Sequence, residues 1–390
     1  MTNITLETMQ PDDAEAVGRL ICQSLHFNLP DGNVLPWMER RGLETFRVAR
    51  VAGQLAAALN IIDMEQWFGG RASATAGISA VGVAPEYRGR KVGAALMLEM
   101  LREVRTKGVA LSTLYPATTQ FYRSVGYERA GARTIYTIPT SAMRGITSAY
   151  TLVPAPDADI DVYAPIHAAY AQSQSGNLQR PAIMWDRILK PIFSSHFRYL
   201  VLDSAGQPAG YIVYAQGNQK EDIKVADWCA LDPAAGRALL QFLGGHRSMV
   251  DKVQLPGAPN EPLLHLLAEQ HSDRSWQLDW MLRLIDVAQA LQARGYPAGI
   301  NAELHLSISD QNFTWNHGRF VLRIADGAAA VEPGGTGAID LHVRDLAALY
   351  SGHLTPAELQ LGGALSGPPA QLATLGLVFS SPRPWMADMF

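Results

Sequence analysis

Residues 78–93 read Ile78-Ser79-Ala80-Val81-Gly82-Val83-Ala84-Pro85-Glu86-Tyr87-Arg88-Gly89-Arg90-Lys91-Val92-Gly93. The opening is an apolar strand that stops at Pro85. A short basic loop with glycines follows, and then a helix with apolar residues at Leu96, Met97, Met100 and Leu101. A strand that runs through such a loop into a helix start makes an anion site. The first N–H groups of the helix lack partners within it, and the helix dipole adds partial positive charge. Arg88, Arg90 and Lys91 supply full charges, and the glycines let a phosphate approach the backbone. The plain alternative is an ordinary strand-loop-helix connection with a solvated basic face. No Gly-Lys-Ser/Thr follows the glycines, so this is not a P-loop.

A second stretch narrows the choice. Leu111-Ser112-Thr113-Leu114-Tyr115 reads as another strand, followed by Pro116-Ala117-Thr118-Thr119-Gln120 and then Phe121-Tyr122-Arg123-Ser124-Val125-Gly126-Tyr127. In this order the two stretches resemble the GNAT superfamily of N-acetyltransferases. Its signature is a strand, an Arg/Gln-x-x-Gly-x-Gly/Ala pyrophosphate loop, a helix, a further strand and a Phe-Tyr-x-x-x-Gly-Tyr/Phe element. Arg88 to Gly93 matches the loop, except that Lys91 stands where the family usually has its first glycine.

Composition sets the frame. With 390 residues, 48% of them hydrophobic and 17% charged, the chain should hold two or three globular domains. There is no apolar run of about 18 or more residues, hence no expected spanning helix. The start, Met1-Thr2-Asn3-Ile4-Thr5, lacks the basic and apolar regions of a signal peptide. Cys22 and Cys229 alone make neither a disulfide framework nor a zinc set, so a reducing cytoplasm is the default expectation. A net charge of −4 does not argue for nucleic acid. Residues 1–145 carry 16 Lys and Arg against 13 Asp and Glu, the remainder 16 against 23. The slightly basic first part suits a polyanionic cofactor.

Along the chain, Ile4 to Glu7 reads as a strand. Pro11-Asp12-Asp13-Ala14-Glu15 opens a helix with the stripe Ala14, Val17, Leu20, Ile21 and Leu25. Phe46 to Val51 and Gln54 to Met64 read as strands paired around Ala52-Gly53, and Pro139 to Gly145 makes a first boundary. Residues 146–283 form a second unit. Val225 to Leu243 there repeats the strand, Pro, small loop and apolar helix of Val81 to Leu101, without the basic cluster. It reads as the same fold unit lacking a phosphate site, with chance similarity as the rival. Residues 284–390 are an α+β mixture. Leu284 to Leu291 is expected to be helical. Leu304, Leu306 and Ile308, Phe320, Leu322 and Ile324, and Ile339, Leu341 and Val343 alternate as half-buried strands. Asp345 to Tyr350, Thr355 to Leu361 and Pro369 to Leu375 read as short helices, and Thr355-Pro356-Ala357-Glu358 has capping-box spacing.

Two GNAT-like units and an α+β tail resemble, over the whole chain, the enhanced intracellular survival (Eis) family. Trp280 to Asp286 with Ala288-Gln289-Ala290-Leu291 is similar to that family's junction with its third domain. The resemblance implies an α/β fold, α+β overall. It comprises a GNAT domain at 1–145, a degenerate GNAT-like domain at 146–283 and a sterol-carrier-protein-like domain at 284–390. It also implies acetyl-CoA as cosubstrate and acetyl transfer to primary amines, aminoglycoside-like or lysine, by direct attack in a ternary complex. A cytoplasmic homo-hexamer is implied too. The alternative is a coenzyme A- or lipid-binding protein with little or no transferase activity.

The same resemblance distributes the chemistry. Backbone N–H groups of Arg88, Gly89, Arg90, Lys91, Val92 and Gly93 would hold the cofactor, and those near Val81 and Val83 would face the thioester oxygen. Tyr122 would protonate the leaving thiolate, a task that suits a phenol with pKa near 10; the rival is a core tyrosine packed under the cofactor. In Eis-like enzymes the C-terminal carboxylate reaches into the first domain as catalytic base, which puts Phe390 in that role, with Asp388 and His26 as rivals. His26, Phe27 and Trp37, in a stretch broken by Pro30, Asp31-Gly32 and Pro36, are acceptor-site candidates or ordinary cover. The ten histidines show no metal spacing and there is no Gly-x-Ser-x-Gly elbow. Neither a metal, a covalent acyl-enzyme, a nucleic acid nor a membrane is expected to take part.

Overall fold

The structure, a computed structural model, describes residues 4–29, 32–191, 195–217 and 222–390. Met1 to Asn3, and Pro30 and Asp31 of the expected loop break, lie outside the described residues.

The chain begins with β1 (Ile4–Thr8), α1 (Ala14–Leu25) and α2 (Val34–Glu39). Next come β2 (Phe46–Val51), β3 (Gln54–Phe68), β4 (Arg71–Val83) and α3 (Val92–Thr106). Then follow β5 (Leu111–Leu114), α4 (Thr119–Ser124) and β6 (Glu128–Pro139). Helix α1 buries Ala14, Val17, Leu20 and Ile21, while Leu25 stays exposed because the helix ends at a left-handed His26. Leu96, Met97, Met100 and Leu101 of α3 are buried against Ala57, Leu59, Ala76 and Ile78 of the sheet. Each such large side chain contributes about 1.5–3 kcal/mol. α1 and α2 cover Phe46, Val48 and Ala58, so the sheet carries α3 on one face and α1 and α2 on the other.

A second set of elements repeats the pattern. It comprises β7 (Thr151–Pro154), α5 (Ile160–Gln172), β8 (Leu178–Gln179), α6 (Ala182–Leu189) and β9 (Phe197–Leu202). β10 (Pro208–Gln216), β11 (Asp222–Ala230), α7 (Pro233–Gly245), β12 (Lys252–Gly257) and β13 (Asp273–Leu284) complete it. β11 and α7 are the counterparts of β4 and α3. At the start of α7 the Asp232 carboxylate accepts from the Ala235 N–H (2.8 Å) and from the Tyr150 hydroxyl (3.0 Å). A resident carboxylate thus satisfies the helix end that would otherwise attract a phosphate. The start of α7 therefore differs from that of α3, whose cap residue makes no side-chain hydrogen bond.

Both units share one 13-stranded sheet, ordered β1-β2-β3-β4-β5-β13-β6-β12-β11-β10-β9-β7, with β8 paired to β3. β13 lies between β5 and β6, so a strand late in the chain completes the first sheet.

The third part holds α8 (Val287–Ala293), β14 (Ala302–Ser309), β15 (Gly318–Ala325), β16 (Ala328–Pro333) and β17 (Ile339–His342). α9 (Val343–Ser351), α10 (Pro356–Leu361), β18 (Leu365–Ser366) and α11 (Pro369–Val378) follow. The five strands form a separate sheet. The alternating residues Leu304, Leu306, Ile308, Phe320, Leu322, Ile324, Ile339 and Leu341 face its core, and Thr355 and Glu358 form the capping box. Two expectations need correction. Leu284 ends β13 rather than starting a helix, and α8 begins at Val287, capped by the Asp286 side chain on the Gln289 N–H (3.1 Å). Val343 opens α9 instead of continuing a strand.

Candidate active site

The site is made by two strands parting. β4 and β5 run parallel and pair from Thr75–Leu111 to Ile78–Leu114. β5 then ends, while β4 continues through Ser79 to Val83, leaving that edge of β4 without a strand partner. The separation coincides with a bulge. β4 carries one more residue than β3 between the Ala58–Gly82 and Asn60–Ser79 pairs, and Ala80 there has φ 53°. A left-handed alanine is strained by about 1–2 kcal/mol, and bulges re-aim the backbone they interrupt. Ser79 is held by donating to Asn60 Oδ1 (3.1 Å), and Asn60 in turn donates to Thr45 Oγ1.

Beyond the bulge lies a cleft of about 600 Å³. Val81 and Val83 of β4, Arg88, Gly89, Lys91, Val92 and Gly93 of the loop, His26 after α1, and Phe121 and Tyr122 of α4 all line it. At Gly93 the elements meet closely. An added Cβ would lie 3.0 Å from Val83 Cγ2 and 3.4 Å from Phe121 Cζ, so a side chain there would push β4 and α4 apart. Gly89 has φ 76° and Lys91 φ 63°; the latter is the cap residue of α3, with no side-chain hydrogen bond closing the helix end. The left-handed cap explains why a glycine is the usual residue at this position. Lysine takes the same backbone path at a cost of about 1–2 kcal/mol. The open amide end, the charges of Arg88 and Lys91 and the empty space around Gly89 fit a diphosphate.

Tyr122 is 5% exposed, with Phe121 and Tyr127 edge-on at 4.9 and 6.0 Å. Burial pushes its pKa up to about 12, so the phenol stays protonated across the neutral range. Its hydroxyl has no hydrogen-bond partner among the described residues and is not sealed from the cleft. Tyr127 differs: it shares a 2.6 Å hydrogen bond with Ser112 and is fully buried, which makes it structural.

The chain end is fastened in place. Trp385 and Met386 are buried. The Ala132 N–H donates to Pro384 O (3.2 Å), the Trp385 N–H to Ser175 O (2.9 Å), and Asn177 Nδ2 to Trp385 O (3.2 Å). Arg133 Nε donates to Ala387 O (2.9 Å) and the Tyr115 hydroxyl to Asp388 O (3.0 Å). The Phe390 ring packs 6.0 Å from Tyr115, the residue after β5, and against Gly77, the penultimate residue of β4 paired with β5. It therefore sits where the two strands part, beside Met64 at Gly77 on the face opposite α3. The Phe390 carboxylate makes no ion pair among the described residues.

Asp388 is committed elsewhere. Both of its oxygens accept from Arg180 Nε at 2.9 Å. The same guanidinium donates to Asp227 at 2.6 and 2.8 Å, and the Tyr211 hydroxyl donates to Asp227 at 2.6 Å. All three charged side chains are at most 2% exposed. Burial works against the charged form of Arg180, but the two carboxylates outweigh that and hold its pKa well above the ordinary guanidinium value. The charge cluster joins the second set of elements to the chain end.

The structure brings together Val81, Val83, Arg88, Gly89, Lys91, Val92, Gly93, Tyr122 and His26 in one cleft. Arg90 stays outside its lining, 5.6 Å over the Tyr87 ring. Phe27 and Trp37 also lie outside that lining, paired with each other at 5.6 Å and packed beside α1. Phe390 sits at the strand junction. Sequence reading had not singled out Ala80, Asn60, Arg180 or Asp227. Among the described residues no group of three or more His, Cys, Asp or Glu could hold a metal ion, and no helix is long and apolar enough to cross a membrane.

Comparison with known proteins agrees with this architecture. Residues 5–130 and 176–284 each match an acetyltransferase (GNAT) domain model, and residues 287–387 match a sterol carrier protein domain model. The chain is 33% identical to a GCN5-related N-acetyltransferase from Anabaena variabilis, with a TM-score of 0.95 and 100% of both chains covered. It is 32% identical to one from Kribbella flavida, with a TM-score of 0.88, 100% of this chain and 99% of that one covered. It is 28% identical to N-acetyltransferase Eis of Mycobacterium tuberculosis over 80% of this chain and 79% of the relative. The chain belongs to the GCN5-related N-acetyltransferases and is an Eis-like member of that family, with tandem GNAT folds followed by a sterol-carrier-protein-like domain.

Proposed function

We propose that this N-acetyltransferase uses acetyl-CoA and passes the acetyl group to a primary amine by direct attack in a ternary complex. The observation that carries the reading is the shared cleft. An open, basic helix end and an unpartnered phenol line the same space beside a strand edge that has lost its neighbour. In this reading the amides from Arg88 to Gly93 bind the diphosphate. The N–H groups near Val81 and Val83 point at the thioester oxygen, where each donor contributes about 3–4 kcal/mol as charge develops. The amine nitrogen forms a bond to the acetyl carbon while the carbon–sulfur bond breaks, and Tyr122 gives its proton to the departing sulfur.

The nitrogen must lose a proton, and the Phe390 carboxylate is assigned this task, directly or through one water. An ordinary terminal carboxyl has a pKa of about 3.5, so its contribution includes attraction of the cationic amine. Asp388 is a poor rival because Arg180 occupies both of its oxygens. His26 remains within the cleft lining.

The test is release of free thiol from acetyl-CoA in the presence of a panel of amines. Amine-dependent release is expected; coenzyme A binding with no release for any amine would favour a cofactor-binding protein instead. Deleting Phe390 is expected to lower kcat at least about tenfold, with coenzyme A affinity, read by calorimetry, changed less than about threefold. An unchanged kcat would remove Phe390 from the mechanism.

A further inference from the structure

The short helix that carries Tyr122 is held from outside its own fold. α4 ends at Ser124 and the chain turns tightly after it. Tyr122 O accepts from the Val125 and Tyr127 N–H groups, both at 3.1 Å, and Arg123 O from the Gly126 N–H (3.0 Å). Gly126 has φ 92°, and an added Cβ would lie 2.6 Å from Arg283 Cζ. The guanidinium of Arg283, from β13, therefore lies directly against this turn. Arg283 is fully buried, and its Nη2 donates to Asp310 Oδ2 at 2.5 Å.

Asp310 belongs to the connection between β14 and β15, inside the sterol-carrier-protein-like domain. Its Oδ1 accepts from the N–H groups of Asn312 (2.9 Å) and Phe313 (3.3 Å), and its Oδ2 also from Asn316 Nδ2 (3.0 Å). Asn316 fastens the loop to the junction of β13 and α8, donating to Ile285 O (3.0 Å) and accepting from the Val287 N–H (2.9 Å). From this braced loop Asn312 Nδ2 reaches across to Ser124 O (3.2 Å), the last residue of α4. Phe313, 1% exposed, enters the same apolar cluster as Tyr122, Val125 and Tyr127. The loop thus meets the Tyr122 helix in three ways: a bond to a carbonyl at its end, a ring in its core and, through Arg283, a guanidinium against its turn.

Stability alone does not account for this arrangement, because a buried ion pair seldom out-stabilises packed apolar residues. The pair fixes the turn, and with it Tyr127, whose hydroxyl is tied to Ser112 (2.6 Å) and whose ring stands edge-on to Tyr122. A helix of six residues has too few internal bonds to hold a side chain in place alone. Proton transfer needs that placement, since a shift of about 1 Å can cost about a hundredfold in rate. We propose that Arg283, Asp310 and Asn312 are positioning residues for Tyr122, and that the loop between β14 and β15 makes the third domain a part of the transferase site. This rests on the reading above, in which Tyr122 is the general acid.

The test uses two mild variants of the full chain. Arg283→Lys keeps a cation beside Asp310 and loses the planar group against Gly126. Asn312→Ala removes one solvent-facing bond, to Ser124 O. Each is made in the parent and in Tyr122→Phe, and thiol release from acetyl-CoA is followed. The parent and both single variants are also labelled with fluorotyrosine, the Tyr122 resonance being the one missing from Tyr122→Phe. Arg283→Lys is expected to lower kcat about tenfold to a hundredfold and Asn312→Ala about threefold to tenfold, with coenzyme A affinity within about threefold. In the Tyr122→Phe background each should change kcat less than about twofold, because the group they place is gone. The Tyr122 fluorine resonance should shift in both single variants. An unmoved resonance, a parental kcat in Arg283→Lys, or an equal loss in both backgrounds when Tyr122→Phe is itself slow would overturn the proposal. A Tyr122→Phe enzyme at the parental rate would sink the general-acid reading, and the positioning would then stand or fall with the resonance alone.

Discussion

Tyr122→Phe is expected to lower kcat by about a hundredfold to ten-thousandfold, the usual weight of a lost general acid, while coenzyme A binding stays within about threefold. The substitution removes one oxygen and keeps the ring. Phe121 and Tyr127 retain their edge-on packing, and no internal hydrogen bond is broken because the hydroxyl has no partner among the described residues. Stability should therefore hold, and the loss should fall on the chemical step alone. Burial strengthens the phenol's grip on its proton up to about pH 12, so Tyr122 cannot be the group behind any change in rate near neutrality. A residue that merely packs under the cofactor would instead raise KM with little change in kcat. Steady-state thiol release and calorimetry with coenzyme A separate these cases. A kcat within about threefold of the parent would remove Tyr122 from the reaction.

Arg180→Met should be the most damaging single change outside the cleft. It leaves Asp227 and Asp388 as two carboxylates in a site at most 2% exposed, and breaking a buried ion pair on one side costs about 3–5 kcal/mol. Arg180→Lys should rescue little, since an ammonium cannot reproduce the fork that reaches both acids at 2.6–2.9 Å. The loss should also reach the catalytic step, because Asp388 lies two residues from Phe390. In the fraction that remains folded, kcat should fall while coenzyme A affinity is kept, and carboxypeptidase should remove the chain end faster. Denaturant melts read the first effect; kinetics and proteolysis read the second. A variant as stable as the parent would mean that the charge cluster does not hold the chain end.

The loop and helix start that line the cleft were legible because their pattern is local. A basic loop, its glycines and the helix they open occupy consecutive residues, and Phe121-Tyr122 follows one strand later. The physical reason for the loop was less visible. Nothing about Ala80 announces a positive φ, which glycine usually signals. Lys91 takes the left-handed cap in the same unadvertised way.

The run Trp280 to Leu284 is buried at every position. An apolar segment covered on both faces has no period that separates strand from helix, so the helix was placed too early although Asp286 offered a cap. The insertion of β13 between β5 and β6 is a long-range pairing that no local pattern encodes. The same holds for Arg180, which lies 47 and 208 residues from its two acids. Phe390 was reached through resemblance. Its own sequence context offered only that Trp385 and Phe390 are too apolar to fray readily.

The most direct test is a structure of the chain with coenzyme A bound. The account predicts the diphosphate on the amides that open α3, between Arg88 and Gly93, and the sulfur within about 3.5 Å of the Tyr122 hydroxyl, between β4 and β5. A cofactor bound away from that helix end, or with its sulfur turned from Tyr122, would contradict it.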